Sequence, residues 1–244
     1  MEYDLTLFEK GLEELGIALS QEQKKQFITY YEYLVEKNKV MNLTAITEYD
    51  EVILKHFLDS LSIVKVGSFD QKKLAGKSAI DIGTGAGFPG IPLKIAFPEL
   101  KITLLDSLNK RVNFLNEVIE MLGLKDVTAV HGRAEDYAKQ KEHREKYDFC
   151  VSRAVANLST LSEYCIPFVK EGGSFISYKS GKIDEELKQA EMAVKILGGK
   201  VQNVVKFPLM DTDMDRSFVE IKKMKPTAKK YPRKAGLPAK EPLA

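Results

Sequence analysis

Apolar residues return at every third or fourth position near the start of the chain: Leu5, Phe8, Leu12 and Leu15, then Phe27, Tyr30, Tyr31, Leu34 and Val35. That spacing lines one face of a helix and predicts two amphipathic helices between residue 2 and about residue 39. Ser20 stands between them, three residues before Gln23, where the hydroxyl can accept from the third helical amide and the Gln23 side chain can reach back. A third helix is expected from about 50 to 66, with a soft boundary near Gly67 and with Gly76 marking the approach to the first strand.

Beyond that boundary the period changes. Short apolar runs at 79–82, 102–105, 127–130, 149–152 and 174–178 alternate with helical spans at 91–97, 110–122, 158–169 and 185–197 and a short helix after Glu135. Alternation at this spacing predicts a parallel sheet covered on both faces. The last two runs, 201–207 and 217–222, have no helix between them, so a hairpin must join them and set an antiparallel strand into the sheet. The expected fold is therefore α/β, a Rossmann-like and mostly parallel seven-stranded sheet with one antiparallel strand. Its expected units are an N-terminal helical segment (1–66), a core (67–225) and a basic, proline-containing tail (226–244) that reads as extended or disordered.

Composition narrows the picture only a little. A chain of 244 residues, 44% hydrophobic, can build one substantial core with a small accessory segment. Lys and Arg number 37 against 35 Asp and Glu, so net charge does not announce a polyanion partner. The charge is unevenly placed, since Lys222, Lys223, Lys225, Lys229, Lys230, Arg233, Lys234 and Lys240 face a single acid, Glu241. Cys150 and Cys165 sit in apolar surroundings without metal-ligand spacing and are expected as buried thiols, with no metal site. The start, Met1-Glu2-Tyr3-Asp4, has no basic then apolar leader, and no run approaches the length of a membrane span, so a cytoplasmic protein with no membrane partner is expected. Nothing resembles a sustained heptad, and a monomer is the expectation.

The run Ala79-Ile80-Asp81-Ile82-Gly83-Thr84-Gly85-Ala86-Gly87-Phe88-Pro89-Gly90 joins an apolar strand to a glycine loop. Such a loop lets a ligand approach the peptide planes, and the following helix start offers free N–H groups. The next strand ends in Asp106, and 106 − 85 = 21 residues matches the separation of ~20 for an acid that bonds a ribose. Ligands of doubly wound sheets bind at the carboxyl ends of the strands, which puts Gly83, Gly85, Gly87, Phe88, Asp106, Ala134, Glu135 and Arg153 at four successive strand ends. Pro89 and Pro92 bracket the turn and no basic group awaits a pyrophosphate, which disfavours a nicotinamide cofactor. Asp81, upstream of the glycines, favours a cationic ligand such as S-adenosylmethionine.

Asn42-Leu43-Thr44, His56-x-x-Asp59-Ser60-Leu61, the stretch 81–92, Leu105-Asp106-Ser107 with Lys110-Arg111, Arg133-Ala134-Glu135 and Ser152-Arg153-Ala154-Val155 resemble the bacterial 16S ribosomal RNA guanine-N7 methyltransferase family, also called glucose-inhibited division protein B. The resemblance covers nearly the whole chain, including Lys230-Tyr231-Pro232-Arg233-Lys234 and Gly236-x-Pro238, and no block departs clearly from the pattern. It implies S-adenosyl-L-methionine bound by Gly83, Phe88, Ala134, Glu135 and Arg153, and methyl transfer to N7 of one guanine in 16S RNA, presented as RNA or as the small ribosomal subunit. On this reading Asp106 holds the ribose hydroxyls, Ala134 and Glu135 meet the adenine region, and Arg153 orients the methionine end or the guanine. Guanine N7 carries a lone pair and no proton, so no catalytic base is required.

Other residues keep two readings. His56 and Asp59, at i,i+3 spacing, serve either to anchor the helical segment or to line an RNA pocket. Asn42 is a helix cap or a substrate contact, and the tyrosines 30, 31 and 33 belong to core and rim more than to base stacking. His131 and His143 read as ordinary. The basic tail is solvated or, given an RNA substrate, contacts phosphate. Two other classes remain: a non-catalytic RNA-binding or ribosome-assembly protein on the same fold, and a nicotinamide-dependent oxidoreductase.

Overall fold

A computed structural model describes residues 3–243; the expected segment ends at 1, 2 and 244 lie outside the described residues. Helix α1 (Thr6–Glu14) buries Phe8, Gly11 and Leu12. Helix α2 (Gln21–Met41) starts at the predicted capping box, with Gln23 N–H donating to Ser20 Oγ at 3.2 Å and Ser20 N–H to Gln23 Oε1 at 2.8 Å. Gln23 has a second task. Its Nε2 donates to the carbonyls of Ile95 and Ala96 at 2.7 and 3.3 Å, pinning α2 to the end of the helix that follows the glycine loop. At the other end Asn42 takes the left-handed conformation of a C-cap, φ 50°, while the Asn38 side chain accepts from the amides of Leu43 and Thr44.

The expected third helix has the predicted extent but not a uniform pitch. It runs as α3 (Tyr49–Val52), a π turn (Ile53–Leu58), α4 (Asp59–Leu61) and a 3-10 turn (Ser62–Lys65). The wider π turn re-aims side chains relative to an ideal helix, and it carries His56.

The sheet comprises β1 (Ser78–Ile82), β2 (Lys101–Asp106), β3 (Val127–His131), β4 (Tyr147–Arg153), β5 (Val169–Ser180), β6 (Gly199–Pro208) and β7 (Asp215–Lys223). Their spatial order is β3-β2-β1-β4-β5-β7-β6, parallel except for β7, which is antiparallel to both β5 and β6. Helices α5 (Gly90–Ala96), α6 (Asn109–Met121), α7 (Ala134–Tyr137), α8 (Leu158–Cys165) and α9 (Asp184–Ile196) supply the crossovers. The pairs Ile82 with Leu105, Asp106 with His131 and Arg153 with Tyr178 bring the carboxyl ends of neighbouring strands to one edge.

Two apolar layers cover the sheet. Phe8, Phe27, Tyr30 and Phe57 of the N-terminal helices share one cluster with Ile91, Leu104 and Val151, so this segment packs directly on the sheet. On the opposite face Ile80, Leu105 and Phe175 meet Leu158, Leu161 and Ala190, and both cysteines are buried there.

Two expectations are corrected. The helix expected over 158–169 ends at Cys165, because Pro167 has no N–H to continue the ladder and Val169 is already paired with Tyr147 as the start of β5. The tail is ordered and docked rather than free. Arg144 donates to the carbonyls of Thr227, Ala228 and Tyr231, Arg233 forms an ion pair with Glu163 at 2.7 Å, and a short α10 (Leu237–Lys240) ends against α8. Proline and lysine content hides this, since the docking uses backbone carbonyls and two arginines more than apolar side chains. Among the described residues no helix is long and apolar enough to cross a membrane.

Candidate cofactor and substrate site

The glycine loop is tied down from below and from both sides. Gly83 and Thr84 donate to the Leu105 carbonyl at 2.8 and 3.2 Å, and Gly85 donates to Asp106 Oδ2 at 2.9 Å. Asp106 also accepts from Leu108 N–H at 2.9 Å, so the 21-residue pairing read from sequence is a physical clasp between loop and strand. Tyr30, fully buried on α2, donates its hydroxyl to the Ala86 carbonyl. Gly87, at φ 104°, has no room for a side chain, since a Cβ would lie 2.8 Å from that hydroxyl.

Asp81 lies beneath the loop and joins its two ends. Its Oδ2 accepts from Thr84 Oγ1 at 2.7 Å and from Gly90 N–H at 2.9 Å. The second oxygen, Oδ1, is buried with no partner among the described residues. Burial pushes this carboxyl up to about 7, against the opposing effect of those two donors. Asp81 is fully buried and lines neither cavity described below, so it acts on the loop above it.

At the ends of β1 to β4 a cavity of about 160 Å³ is lined by Gly83, Ser107, Ala134, Glu135, Val155 and Tyr164, among others. A Cβ on Gly83 would come within 2.6 Å of Val155, so glycine lets the loop after β4 close over the strand end. Glu135 is buried at the base of the short helix α7, its Oε1 accepting from Gly236 N–H at 2.8 Å.

A second, more open cavity of about 390 Å³ lies on the far side of the β4 end, lined by His56, Asp59, Arg153, Tyr178, Lys179 and Arg216, among others. Arg153 donates to the Lys55 carbonyl at 3.0 Å and to Asp59 Oδ2 at 2.7 Å, and its guanidinium lies 5.1 Å over the Phe88 ring. Arg216 Nε donates to the other Asp59 oxygen at 2.8 Å. The His56 ring stacks on Phe88 at 4.4 Å, with Arg153 NH2 3.2 Å from Nδ1 and Thr44 Oγ1 2.9 Å from Nε2. Nδ1 also lies 3.1 Å from the Lys55 carbonyl, so neighbours hold the ring at both nitrogens. Burial, followed by the Arg153 charge, lowers the imidazole to about 3, so His56 is neutral.

The predicted residues thus divide. Gly83, Ala134 and Glu135 line the first cavity; Arg153 lines the second, with Phe88 stacked behind it; Gly85 and Asp106 form the clasp beside them. His56 and Asp59 meet through Arg153, and Asn42 is a helix cap. Sequence reading missed Arg216, Tyr164, the loop contact of Tyr30, and the tail's bond to Glu135. A third cavity, about 470 Å³ between α9 and β6, holds none of the predicted residues.

Known proteins share both sequence and architecture with this chain. Ribosomal RNA small subunit methyltransferase G of Lachnoclostridium phytofermentans is 57% identical over 240 residues, covering 98% of each chain. The protein of the same name from Desulforamulus reducens is 52% identical over 242 residues, 99% of each. Among solved structures, MtNAS in complex with MTA and tNA aligns with a TM-score of 0.55 at 16% identity, over 89% of this chain and 82% of that one. P. horikoshii TYW2 in complex with MeSAdo aligns with a TM-score of 0.50 at 14% identity, over 65% and 61%. These two likenesses concern the fold, a class I methyltransferase sheet. The model of rRNA small subunit methyltransferase G matches residues 23–219, most of the chain and both cavities, and the chain belongs to that family.

Proposed function

We propose that this enzyme transfers the methyl group of S-adenosylmethionine to N7 of a guanine in 16S ribosomal RNA, with the first cavity receiving the nucleoside end of the cofactor and the second the target nucleotide. The observation that carries this reading is the convergence of Gly83, Ala134 and Glu135, from two separate strand ends, on one cavity beside the clasped glycine loop. That cavity is smaller than the roughly 300–1,000 Å³ of sites that enclose a whole drug-sized ligand, so it suits one end of the cofactor. Gly85, with open space over its Cα, leaves a path along the loop toward Arg153 and Phe88. Asp106, beside that path, is the acceptor assigned to the ribose, and the Asp81 carboxyl ties the two ends of the loop together beneath it.

S-adenosylmethionine supplies an electrophilic methyl group on a sulfonium. The N7 lone pair forms the new C–N bond as the C–S bond breaks and its electrons return to sulfur, so no proton has to be removed. The residues are consistent with that demand: His56 is neutral and held by three neighbours, a positioning group rather than a base. Arg153, Arg216, Lys55 and Lys179 line the second cavity; Lys55 pairs with Glu51 and Lys179 with Glu186, while the two arginines share the single carboxylate of Asp59, and the one positive charge left over suits a nucleotide phosphate. The N-terminal segment 1–66 supports the core 67–225 by holding the glycine loop through Tyr30 and Arg153 through Asp59. The enzyme acts as a cytoplasmic monomer.

The test uses methyl-labelled S-adenosylmethionine with small ribosomal subunits from cells lacking this gene, then nuclease digestion and mass spectrometry. Label in 7-methylguanosine is expected. Label in another nucleoside would reject the assigned atom, and absence of label despite cofactor binding would favour the non-catalytic assembly role.

A further inference from the structure

Glu135 belongs to two networks at once. It lines the first cavity, and its Oε1 is held by Gly236 N–H, 101 residues further on in the docked tail. Gly236 stands at φ 83°, a conformation that suits glycine and turns its N–H to the carboxylate. Three residues earlier Arg233 grips Glu163, a side chain with no exposed surface, through its own N–H and through three guanidinium hydrogen bonds of 2.7 to 3.1 Å. The residue after Glu163 is Tyr164, which lines the same cavity. Further along, the Pro238 carbonyl accepts from Thr160 Oγ1 at 3.1 Å.

From this juxtaposition we infer that the docked C-terminal tail is a positioning element of the cofactor site: Arg233, clamped on Glu163, sets Gly236 where its N–H fixes the Glu135 carboxylate. The inference rests on the reading of the first cavity as the place of the cofactor's nucleoside end. The bond to Gly236 orients the carboxylate through one oxygen and leaves the other, Oε2, for a ligand. If the tail lifts, Glu135 loses its orienting donor, and Tyr164 sits on a helix whose buried Glu163 has lost its cation. Binding and docking are then reciprocal, since whatever the docked tail adds to cofactor affinity, bound cofactor adds to docking.

The tail carries its own reporter. Lys229, Lys230, Lys234 and Lys240 are exposed and offer cleavage sites to trypsin. The experiment compares full-length wild type, Arg233→Ala and Glu135→Ala, measuring S-adenosylhomocysteine affinity by calorimetry at low temperature and the rate of tryptic cleavage in the tail with and without that ligand. The expected result is that ligand slows tail cleavage several-fold in wild type, and that Arg233→Ala binds it about tenfold more weakly and loses the protection. A purely structural role for Arg233 would lower the melting temperature and leave affinity and protection as in wild type, and that outcome overturns the inference. If Arg233→Ala does not fold, Glu163→Gln, which keeps the shape and removes the charge, carries the same comparison. Should Glu135→Ala bind as well as wild type, the cofactor-site reading itself fails; should Glu135→Ala weaken binding while the Arg233 variant does not, only the tail's role falls.

Discussion

Arg153 at the end of β4 donates to Asp59 Oδ2 at 2.7 Å, across 94 residues of chain, and that bond joins the N-terminal helices to the carboxyl-end edge of the sheet. Asp59 is shared, its other oxygen taken by Arg216 from β7, so one carboxylate organises two cations on the wall of the second cavity.

Replacing Asp59 by Asn leaves both guanidiniums facing a neutral amide. The Asp59 side chain is 6% and that of Arg153 14% exposed, so solvent cannot make good the loss, and the change should cost on the order of 3 kcal/mol in denaturant unfolding together with most of the methyl transfer. Arg216→Ala removes a more exposed partner and should affect stability less while still weakening RNA binding. A wild-type unfolding midpoint for Asp59→Asn would show that the pair organises nothing.

Tyr30→Phe deletes one hydroxyl and leaves the Ala86 carbonyl of the glycine loop without its donor at a fully buried position. An unpaired buried acceptor costs about 1–3 kcal/mol, and because the acceptor is part of the loop, S-adenosylhomocysteine affinity should fall several-fold alongside stability. Calorimetry and urea unfolding on the same preparation test both. Loss of stability with unchanged affinity would mean that Tyr30 supports the core alone.

Local patterns were legible in the chain and distant pairings were not. The Ser20–Gln23 cap, the helical stripe of Phe8, Phe27 and Tyr30, the glycine loop and the antiparallel last pair all follow from residues a few positions apart. The 21-residue separation of Gly85 and Asp106 was legible as a candidate ribose site, but the bond that joins the two residues directly was not. Likewise, Arg216 reaches Asp59 over 157 residues and Gly236 reaches Glu135 over 101, and nothing near either residue announces its partner. Tail docking was obscured in the same way: lysine and proline set the composition, while Arg144, which is remote in sequence, holds the backbone. The π turn at Ile53–Leu58 has no sequence signal of its own, because its residues would also suit an α-helix.

The docked tail leaves Lys229, Lys230, Lys234 and Lys240 facing solvent, in a fixed array rather than on a loose chain. Replacing these four by Gln should reduce the slope of log affinity for RNA against log salt by about 0.7 for each phosphate no longer neutralised, and leave S-adenosylhomocysteine binding unaltered. Filter binding between low and moderate salt measures the slope. An unchanged slope would retire the tail as a partner of phosphate.

Two buried groups at the site make stability depend on pH in opposite directions. His56 is held down to about 3, well below the roughly 6.5 of an unfolded histidine, so between those values the unfolded chain binds a proton that the folded one refuses. Its contribution is present above pH ~6.5 and is lost progressively as pH falls toward 3. Asp81 is held up to about 7, above the roughly 3.9 of an unfolded aspartate, so between those values the folded chain holds the proton. Its contribution is present at about pH 4 and is lost as pH rises through 7. In the wild type the two slopes offset one another. Asp81→Asn removes the second, so its unfolding free energy should fall more steeply than wild type on acidification from pH 7 to about 4.5, whereas His56→Asn removes the first and should flatten or reverse the wild-type curve. Urea unfolding at four pH values across that window resolves the slopes, and parallel curves for Asp81→Asn and wild type would mean that the carboxyl beneath the glycine loop titrates as it does in the unfolded chain.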